Sequence, residues 1–292
     1  MSAKQNPFVW YDVMTTDTKA AEAFYARVVG WDIRDSGMPD RYYGILFADA
    51  AMVGGLMQIP EDARAMGAQP AWMGYIGVDD VDDYAKRVRA MGGAILRDCT
   101  DIPGVGRFAV AADPHGAGFI LFKPNTDQAP APAPMGALGP VGWRELHAGD
   151  GPSPFDFYSG LFGWTKDEAM DMGAMGIYQT FKTAGEQGGG MMTKMPQSPR
   201  PFWLYYFNVD AIDAASTRIK DAGGQIINGP MQVPGERWIV QGLDPQGAMF
   251  ALLRVNGNRA RKRGGLQGEQ MSTSYNVDAN AARSIVSCEG FH

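Results

Sequence analysis

The sequence has few cysteines, no long apolar segment and no excess of basic residues. Cys99 and Cys288 are its two cysteines among 292 residues, so we expect no disulfide framework and a reducing, cytoplasmic location. The first residues, MSAKQNPF, lack the apolar run of a secretory signal, and no stretch has the roughly 18 consecutive apolar residues of a membrane-spanning helix. The net charge of −6 gives no general attraction to nucleic acid or anionic lipid. We therefore expect neither a membrane nor a nucleic acid as partner.

Familiar catalytic motifs are also scarce. No serine or cysteine nucleophile with a positioned base is recognisable. The glycine run Gly188–Gly190 lacks the Lys-Ser/Thr that would complete a phosphate-binding loop. Gly54 and Gly55 occupy the corresponding place in the first half of the chain, so the glycines predict a repeated structural turn.

What the sequence does contain is an ordered repeat at a spacing of about 133 positions. W-Y-D-V-M from Trp10 returns as W-R-E-L-H from Trp143, and D-P-H-G from Asp113 returns as D-P-Q-G from Asp244. An F-Y pair and a G-W pair lie in the same order between these segments in both halves. A repeat of this kind indicates a duplicated module, and two modules that face each other would enclose a space.

The repeat divides the chain into two modules, a linker and a tail. Residues 7–124 form the first module, 125–138 a Pro/Ala-rich linker, 139–254 the second module and 255–292 a flexible C-terminal tail. The length and the 45% hydrophobic content allow each module its own core. Basic residues cluster early in the tail, which is typical of a solvated chain end or of a site for an acidic partner.

Each module is expected to mix strands and helices. In the first module an opening strand precedes a helix whose buried stripe is Ala21, Phe24, Tyr25 and Val28. Further short strands lead to a second helix, with Asp79 as the expected N-cap and Asp210 as its counterpart. A closing hairpin turns at the D-P-x-G segment. The pattern predicts an α+β fold built from βαβββ-like halves.

These motifs resemble the glyoxalase/bleomycin resistance/extradiol dioxygenase superfamily, also called the vicinal oxygen chelate superfamily. The segments that carry the resemblance are D-T-K-A-A-E-A-F-Y-A-R-V-V-G-W from Asp17 and D-P-H-G-A-G-F-I-L-F from Asp113, together with their repeats. The resemblance covers both modules. It implies tandem βαβββ modules whose curved mixed sheets enclose a cup, in which some members hold a divalent metal and others bind a drug or metabolite without one.

The resemblance also implies where a metal would be bound. Metal-using relatives place ligands on the first strand, on the strand before the second helix and on the last strand. The matching residues here are Trp10, Met73 and Ile120 in the first module, and Trp143, Leu204 and Ala251 in the second. None of these side chains supplies an imidazole or a hard oxygen donor. We therefore expect no metal and no cofactor.

Strand alternation instead predicts an aromatic and aliphatic cup. The residues expected to bind ligand are Trp10, Asp12, Met73, Tyr75, Ile120, Phe122, Trp143, Leu204, Tyr206 and Asn208. Such a lining suits a small apolar or aromatic molecule, bound or sequestered in cups between the modules. Tryptophans that merely fill the space of a lost metal are the structural alternative.

Glu145 and His147 are the candidate acid–base residues. They lie two positions apart on one strand and so share a face, where a histidine could shuttle a proton near neutral pH. The alternative for this pair is a purely structural role. The alternatives for the protein as a whole are a metal-dependent lyase or dioxygenase, or a regulatory protein with a collapsed cup. Pairing of the two modules within one chain favours a monomer or a homodimer.

Overall fold

Two curved eight-stranded sheets, one from each half of the chain, make up the protein. The computed structural model describes residues 5–39, 41–125, 136–149 and 154–254. Most of the predicted linker and the whole predicted tail, with Cys288, lie outside these residues. The first sheet contains β1 (Phe8–Thr15), β2 (Asp32–Asp35), β3 (Tyr43–Ala48), β4 (Ala51–Gln58), β5 (Ala71–Gly77), β6 (Ala94–Ile102), β7 (Gly106–Ala112) and β8 (Gly118–Pro124).

The second sheet repeats the first strand for strand. It contains β9 (Val141–Ala148), β10 (Thr165–Asp171), β11 (Ile177–Thr183), β12 (Glu186–Thr193), β13 (Phe202–Val209), β14 (Gln225–Val233), β15 (Arg237–Leu243) and β16 (Met249–Arg254). The strand orders are β2-β3-β4-β1-β5-β8-β7-β6 and β10-β11-β12-β9-β13-β16-β15-β14. Two βαβββ halves therefore lie side by side in each sheet, joined where β1 pairs with β5 and β9 pairs with β13.

The helices are short and amphipathic, and none of those described is long and apolar enough to cross a membrane. They are α1 (Thr18–Val28), α2 (Glu61–Ala65), α3 (Val81–Ala90), α4 (Pro154–Phe162) and α5 (Ile212–Asp221), with a 3-10 turn at Gly173–Met175. The predicted stripe of α1 is buried in full. The predicted N-caps are wrong by one residue, because Asp80 caps α3 by accepting from the backbone N–H of Asp83 and Ala211 precedes α5.

The modules pack back to back along one face of each sheet, and the cavity, expected between the modules, is formed mainly by the second module with a contribution from the first. Tyr11, which points away from the face of Trp10 and Asp12, packs against Tyr205 of the other sheet with ring centroids 5.1 Å apart. Trp72 and Phe207 are likewise 4.6 Å apart. One continuous cluster of buried residues spans both modules, in place of the expected two separate cores. The alternating strands thus turn one face toward the other module and the opposite face outward.

The first helix of each module also packs on the other module. The Tyr25 hydroxyl donates to Asp244 Oδ2 at 3.0 Å, and the Tyr158 hydroxyl donates to Asp113 Oδ2 at 3.0 Å. Both acceptors are the aspartates of the D-P-x-G turns. The repeated F-Y and D-P-x-G motifs are therefore two halves of one reciprocal contact between the modules.

Candidate functional site

The concave face of the second sheet encloses a cavity of about 860 Å³, which we call the second cup. Its walls are mainly apolar and are rich in methionine, which adapts its shape to a ligand. Residues 69–73 and Gly118 of the first module complete one side. Its polar and aromatic lining side chains include Trp143, Glu145, His147, Tyr178, Phe202, Tyr206, Arg237 and Gln241, and its methionines are Met73, Met170, Met172, Met175, Met192, Met195 and Met249.

Glu145 is the centre of a polar network at the base of the second cup. Its carboxylate is 2.8 Å from His147 Nε2 and accepts hydrogen bonds from the hydroxyls of Tyr178 and Tyr206, each at 2.9 Å. Gln241 donates in turn to the Tyr206 hydroxyl at 2.6 Å, and Trp143 Nε1 donates to the Tyr178 hydroxyl at 2.8 Å. A buried charge is tolerated in an apolar cavity only with this degree of hydrogen bonding.

The network keeps Glu145 ionised. Burial on its own would raise the pKa of this carboxyl. The hydrogen bond and charge of His147, followed by the hydroxyls of Tyr206 and Tyr178, outweigh burial and bring the pKa below its usual value. The Glu145 carboxyl is therefore ionised at neutral pH.

His147 is held on one face and at one edge. Its ring stacks on Phe202 with centroids 4.5 Å apart and planes 4° from parallel. With Nε2 directed at Glu145, its other ring nitrogen, Nδ1, is buried and has no hydrogen-bond partner among the described residues. The histidine is thus oriented by its neighbours and cannot rotate freely.

Glycines on the neighbouring strand make room for the tyrosines. A side chain at Gly190, on β12, would overlap the ring of Tyr178, and one at Gly55, on β4, would overlap Tyr43 and Asp12. The glycine runs were expected to form turns, and that prediction is wrong. They lie inside strands, where the missing side chain lets a tyrosine reach across to the buried carboxyl.

The first module repeats the network with a shorter acid. Asp12 accepts from the Tyr43 hydroxyl at 2.8 Å, from the Tyr75 hydroxyl at 2.5 Å and from Trp10 Nε1 at 2.9 Å. Burial raises the pKa of Asp12, and the hydrogen bonds from Tyr75, Tyr43 and Trp10 offset only part of that increase. Met14 occupies the position beside this acid that His147 has in the second module.

Most of the predicted site residues fall into two groups in space, and Leu204 and Asn208 lie outside both. Trp143, Glu145, His147, Tyr206 and Met73 line the second cup. Leu204 is fully buried in the apolar cluster beneath it, and Asn208 donates to the backbone of Ala137 near the start of the module. The others are grouped in the first sheet: Trp10, Asp12, Tyr75, Ile120 and Phe122, where Tyr75 pairs with Ile120 and contacts the ring of Phe122. Their role in ligand binding stays a prediction.

Sequence reasoning missed four of these contributors to the second cup: Tyr178, Phe202, Gln241 and Arg237. Tyr178 and Tyr43 occupy corresponding strands, β11 and β3, so comparison of the repeats could have found them. Gln241 and Arg237 lie two strands away from β13, and nothing in the local sequence signals that β15 curves back toward Trp143. The methionines are scattered along the chain and come together only in the fold.

Comparison with known proteins identifies the family. The model of the Glyoxalase/Bleomycin resistance protein/Dioxygenase superfamily matches residues 142–252, and that of the glyoxalase-like domain matches residues 9–122. CFP32 of Mycobacterium tuberculosis, described as a candidate glyoxylase, is 32% identical over 248 residues, which are 84% of this chain and 93% of the relative. The chain belongs to this superfamily. The anthracycline biosynthesis protein DnrV of Streptomyces peucetius is another relative, 29% identical and matched over 84% of this chain and 92% of its own length.

Solved structures of the superfamily share the fold. A mutant of 4-hydroxymandelate synthase from Streptomyces coelicolor superposes with a TM-score of 0.59 at 16% identity, covering 88% of this chain and 95% of its own. The Mn(II)-bound glyoxalase of Novosphingobium aromaticivorans gives a TM-score of 0.57 at 18% identity, covering 86% and 82%. At these identities the likeness concerns the architecture alone.

The superfamily's metal does not fit the side chains at the corresponding positions. In the second sheet Trp143 pairs with Tyr206, which pairs with Ala251, and Leu204 pairs with Glu145. Of these, Glu145 and the hydroxyl of Tyr206 offer oxygen donors, and both already take part in the hydrogen-bond network of the cup. Among the described residues no group of three or more His, Cys, Asp or Glu side chains could hold an ion.

Proposed function

We propose that the second cup binds a small, largely apolar or aromatic molecule and that binding requires no metal. The observation that carries the proposal is the cavity of about 860 Å³, with methionine and aromatic walls around one ionised, fully hydrogen-bonded carboxylate. Ligand pockets are typically built in this way, from apolar walls and a few convergent polar groups. The expectation of a protein that is monomeric or homodimeric is part of the same proposal.

The relatives support an aromatic ligand. DnrV is described as an anthracycline biosynthesis protein, and anthracyclines contain planar fused rings. Trp143 in the wall of the second cup offers a flat surface for offset stacking with such rings. By analogy, we propose a planar aromatic compound as the ligand class of this protein.

Ligand binding is tested with a panel of planar aromatic compounds, screened by thermal shift and followed by titration calorimetry. Trp143→Leu removes the stacking surface and should weaken binding about tenfold, because an aromatic contact is worth ~0.5–1.5 kcal/mol beyond its buried area. Trp10→Leu, the same change at the matching position of the first module, should leave the affinity unchanged. If Trp10→Leu weakened binding and Trp143→Leu did not, the binding site would lie in the first module. Absence of binding by every compound of the panel would refute the proposal.

The proposal that ligand binding requires no metal has a separate test. The protein is purified without added metal or chelator, and its metal content is measured by inductively coupled plasma mass spectrometry. We expect less than a tenth of an equivalent of any divalent transition metal per chain. One equivalent that survives dialysis would favour the metal-dependent lyase or dioxygenase alternative.

A metal-independent acid–base reaction is the second candidate function. It is favoured by the 2.8 Å contact between His147 Nε2 and Glu145 Oε1 in the wall of the cavity, because a carboxylate in contact with a histidine orients the ring for proton transfer. His147→Gln keeps a donor for Glu145 but cannot exchange a proton near neutral pH. The variant should retain ligand binding and lose turnover of any bound compound that the wild type converts. Equal turnover by both proteins would exclude this role.

A further inference from the structure

Arg237 is a cationic side chain in the wall of the second cup that the polar network does not use. Its guanidinium lies over the ring of Trp143, with Cζ 5.5 Å from the ring centroid, and the side chain is only half-buried. Within the described part of the chain it forms no ion pair and no side-chain hydrogen bond. Contact with an aromatic face leaves the N–H groups at the edge of the guanidinium available to an acceptor.

Comparison of the two modules indicates that Arg237 has a role specific to the second cup. Arg237 is the first residue of β15, two positions after Gly235. The matching first residue of β7, two positions after Gly104, is Gly106. An arginine needed for the fold of the module would be expected in both copies. The aromatic partner, by contrast, is present in both as Trp10 and Trp143.

The other charges of the second cup do not neutralise Arg237. The charge of Glu145 is already compensated by His147, Tyr178 and Tyr206. Glu168 and Arg200 also line the cavity, but both are exposed, and neither is within ion-pair distance of a described residue. An oxyanion placed beside Trp143 would therefore gain a charge-assisted, bidentate contact with Arg237.

We propose that the ligand of the second cup is an aromatic acid, whose ring stacks on Trp143 and whose carboxylate is bound by Arg237. This inference rests on the proposed function and narrows its ligand class. Because the polar groups at the base of the cup are already paired with Glu145, the acid group is directed toward Arg237. The ring would then occupy the methionine-lined part of the cavity.

The test uses two compounds of nearly equal shape and different charge, 2-naphthoate and 2-naphthamide. Titration calorimetry with the full-length protein should show naphthoate binding about tenfold to 100-fold more tightly, since a hydrogen bond to a charged group is worth ~1.5–3 kcal/mol. Arg237→Gln should abolish this preference and leave naphthamide affinity unchanged. Arg64→Gln, a matched loss of an exposed arginine outside the cavity, should retain the preference.

The outcomes separate this inference from the proposed function. Equal binding of both compounds to the wild type would overturn the role of Arg237 while leaving the aromatic cup in place. Equal weakening of both compounds by Arg237→Gln would also overturn it, because that result indicates support of Trp143 without charge recognition. Failure of both compounds to bind the wild type would overturn the aromatic-ligand proposal and this inference with it.

Discussion

Two buried carboxyl groups at corresponding positions have pKa values shifted in opposite directions. His147, with the hydroxyls of Tyr206 and Tyr178, outweighs the effect of burial and lowers the pKa of Glu145. Burial raises the pKa of Asp12 by more than its hydrogen bonds and the charge of Arg41 lower it. A shift in folded-state pKa makes stability depend on pH. The repeated network should therefore respond to pH in opposite senses in its two copies.

Replacing Glu145 should have its largest effect at neutral pH. Its folded-state pKa lies below the value of 4.5 for a free glutamate, so the carboxylate stabilises the fold above pH 4.5, and this stabilisation is lost as the pH falls through the folded-state pKa. Glu145→Gln also places an amide N–H group next to the donating hydroxyls of Tyr178 and Tyr206, where it has no acceptor. We expect a loss of about 2 kcal/mol in the free energy of unfolding at pH 7, smaller at pH 3.5, measured by urea unfolding.

Asp12→Asn should show the opposite trend. Since the folded-state pKa of Asp12 lies above the free value of 3.8, its contribution is fully present below pH 3.8 and declines as the pH rises through the raised pKa. The cost of Asp12→Asn should therefore be smaller at pH 7 than at pH 3.5. Glu168→Gln, an exposed carboxyl on the same wall as Glu145, serves as the control and should change stability little at either pH. Parallel trends for Asp12→Asn and Glu145→Gln would contradict the pKa assignment.

At the scale of the element, the first helix of each module acts as a connector to the other module. α1 presents Tyr25 to Asp244, and α4 presents Tyr158 to Asp113. In each case an indole N–H donates to the tyrosine hydroxyl, from Trp72 and Trp203 respectively. Each buried tyrosine hydroxyl donates one hydrogen bond and accepts another. Its removal therefore leaves an aspartate oxygen without its donor.

Tyr25→Phe and Tyr158→Phe should each lower the free energy of unfolding by about 1–3 kcal/mol. Tyr42→Phe removes a hydroxyl that bonds Glu22 within one module at a partly exposed position, and it should cost less than ~1 kcal/mol. Chemical denaturation followed by tryptophan fluorescence measures all three. If Tyr42→Phe lowered the free energy of unfolding as much as the other two variants, the reciprocal contacts would contribute no more to stability than a hydrogen bond within one module.

The elements also show how far the sequence predicts the fold. The buried stripes of α1, α3 and α5 follow from helical spacing, and the alternation around Tyr11 predicts that Trp10 and Asp12 share a face. Strands β6 and β14 were not predicted, because they lie at sheet edges and their residues, such as A-I-L-R-D-C-T-D-I, show no strong apolar alternation. The glycines of β4 and β12 were misread because their partners, Tyr43 and Tyr178, come from another strand.

The direction in which the cups open could not be read from the sequence either. Either face of β1 has apolar residues, and which face becomes concave depends on the other module covering the face of Tyr11. The candidate pair Glu145 and His147 is visible as an i, i+2 pattern. Arg237, by contrast, reaches the cup only through the curvature of the whole sheet. Local spacing thus predicts neighbours on one strand but not the far wall of a cavity.

At the scale of the whole molecule, the continuous core predicts that the modules depend on each other. Separating them would expose the aromatic face around Tyr11, Trp72, Tyr205 and Phe207, together with the helix surfaces that carry Phe24 and Phe157. Each large aromatic side chain that returns to water costs about 1.5–3 kcal/mol, and a folded domain is stable by only ~5–15 kcal/mol. Neither module should therefore persist as a folded monomer.

Expression of residues 1–125 and 136–254 as separate chains tests this dependence. Each fragment alone should be unfolded, or should pair with a second copy of itself through the exposed aromatic face. Mixing the two should restore a 1:1 complex with the circular dichroism spectrum of the intact protein, because the D-P-x-G turns then regain their tyrosine donors. Tyr25→Phe in the first fragment and Tyr158→Phe in the second should weaken that complex. A fragment that is monomeric by ultracentrifugation and unfolds cooperatively on its own would show that the aromatic interface joins two independent domains.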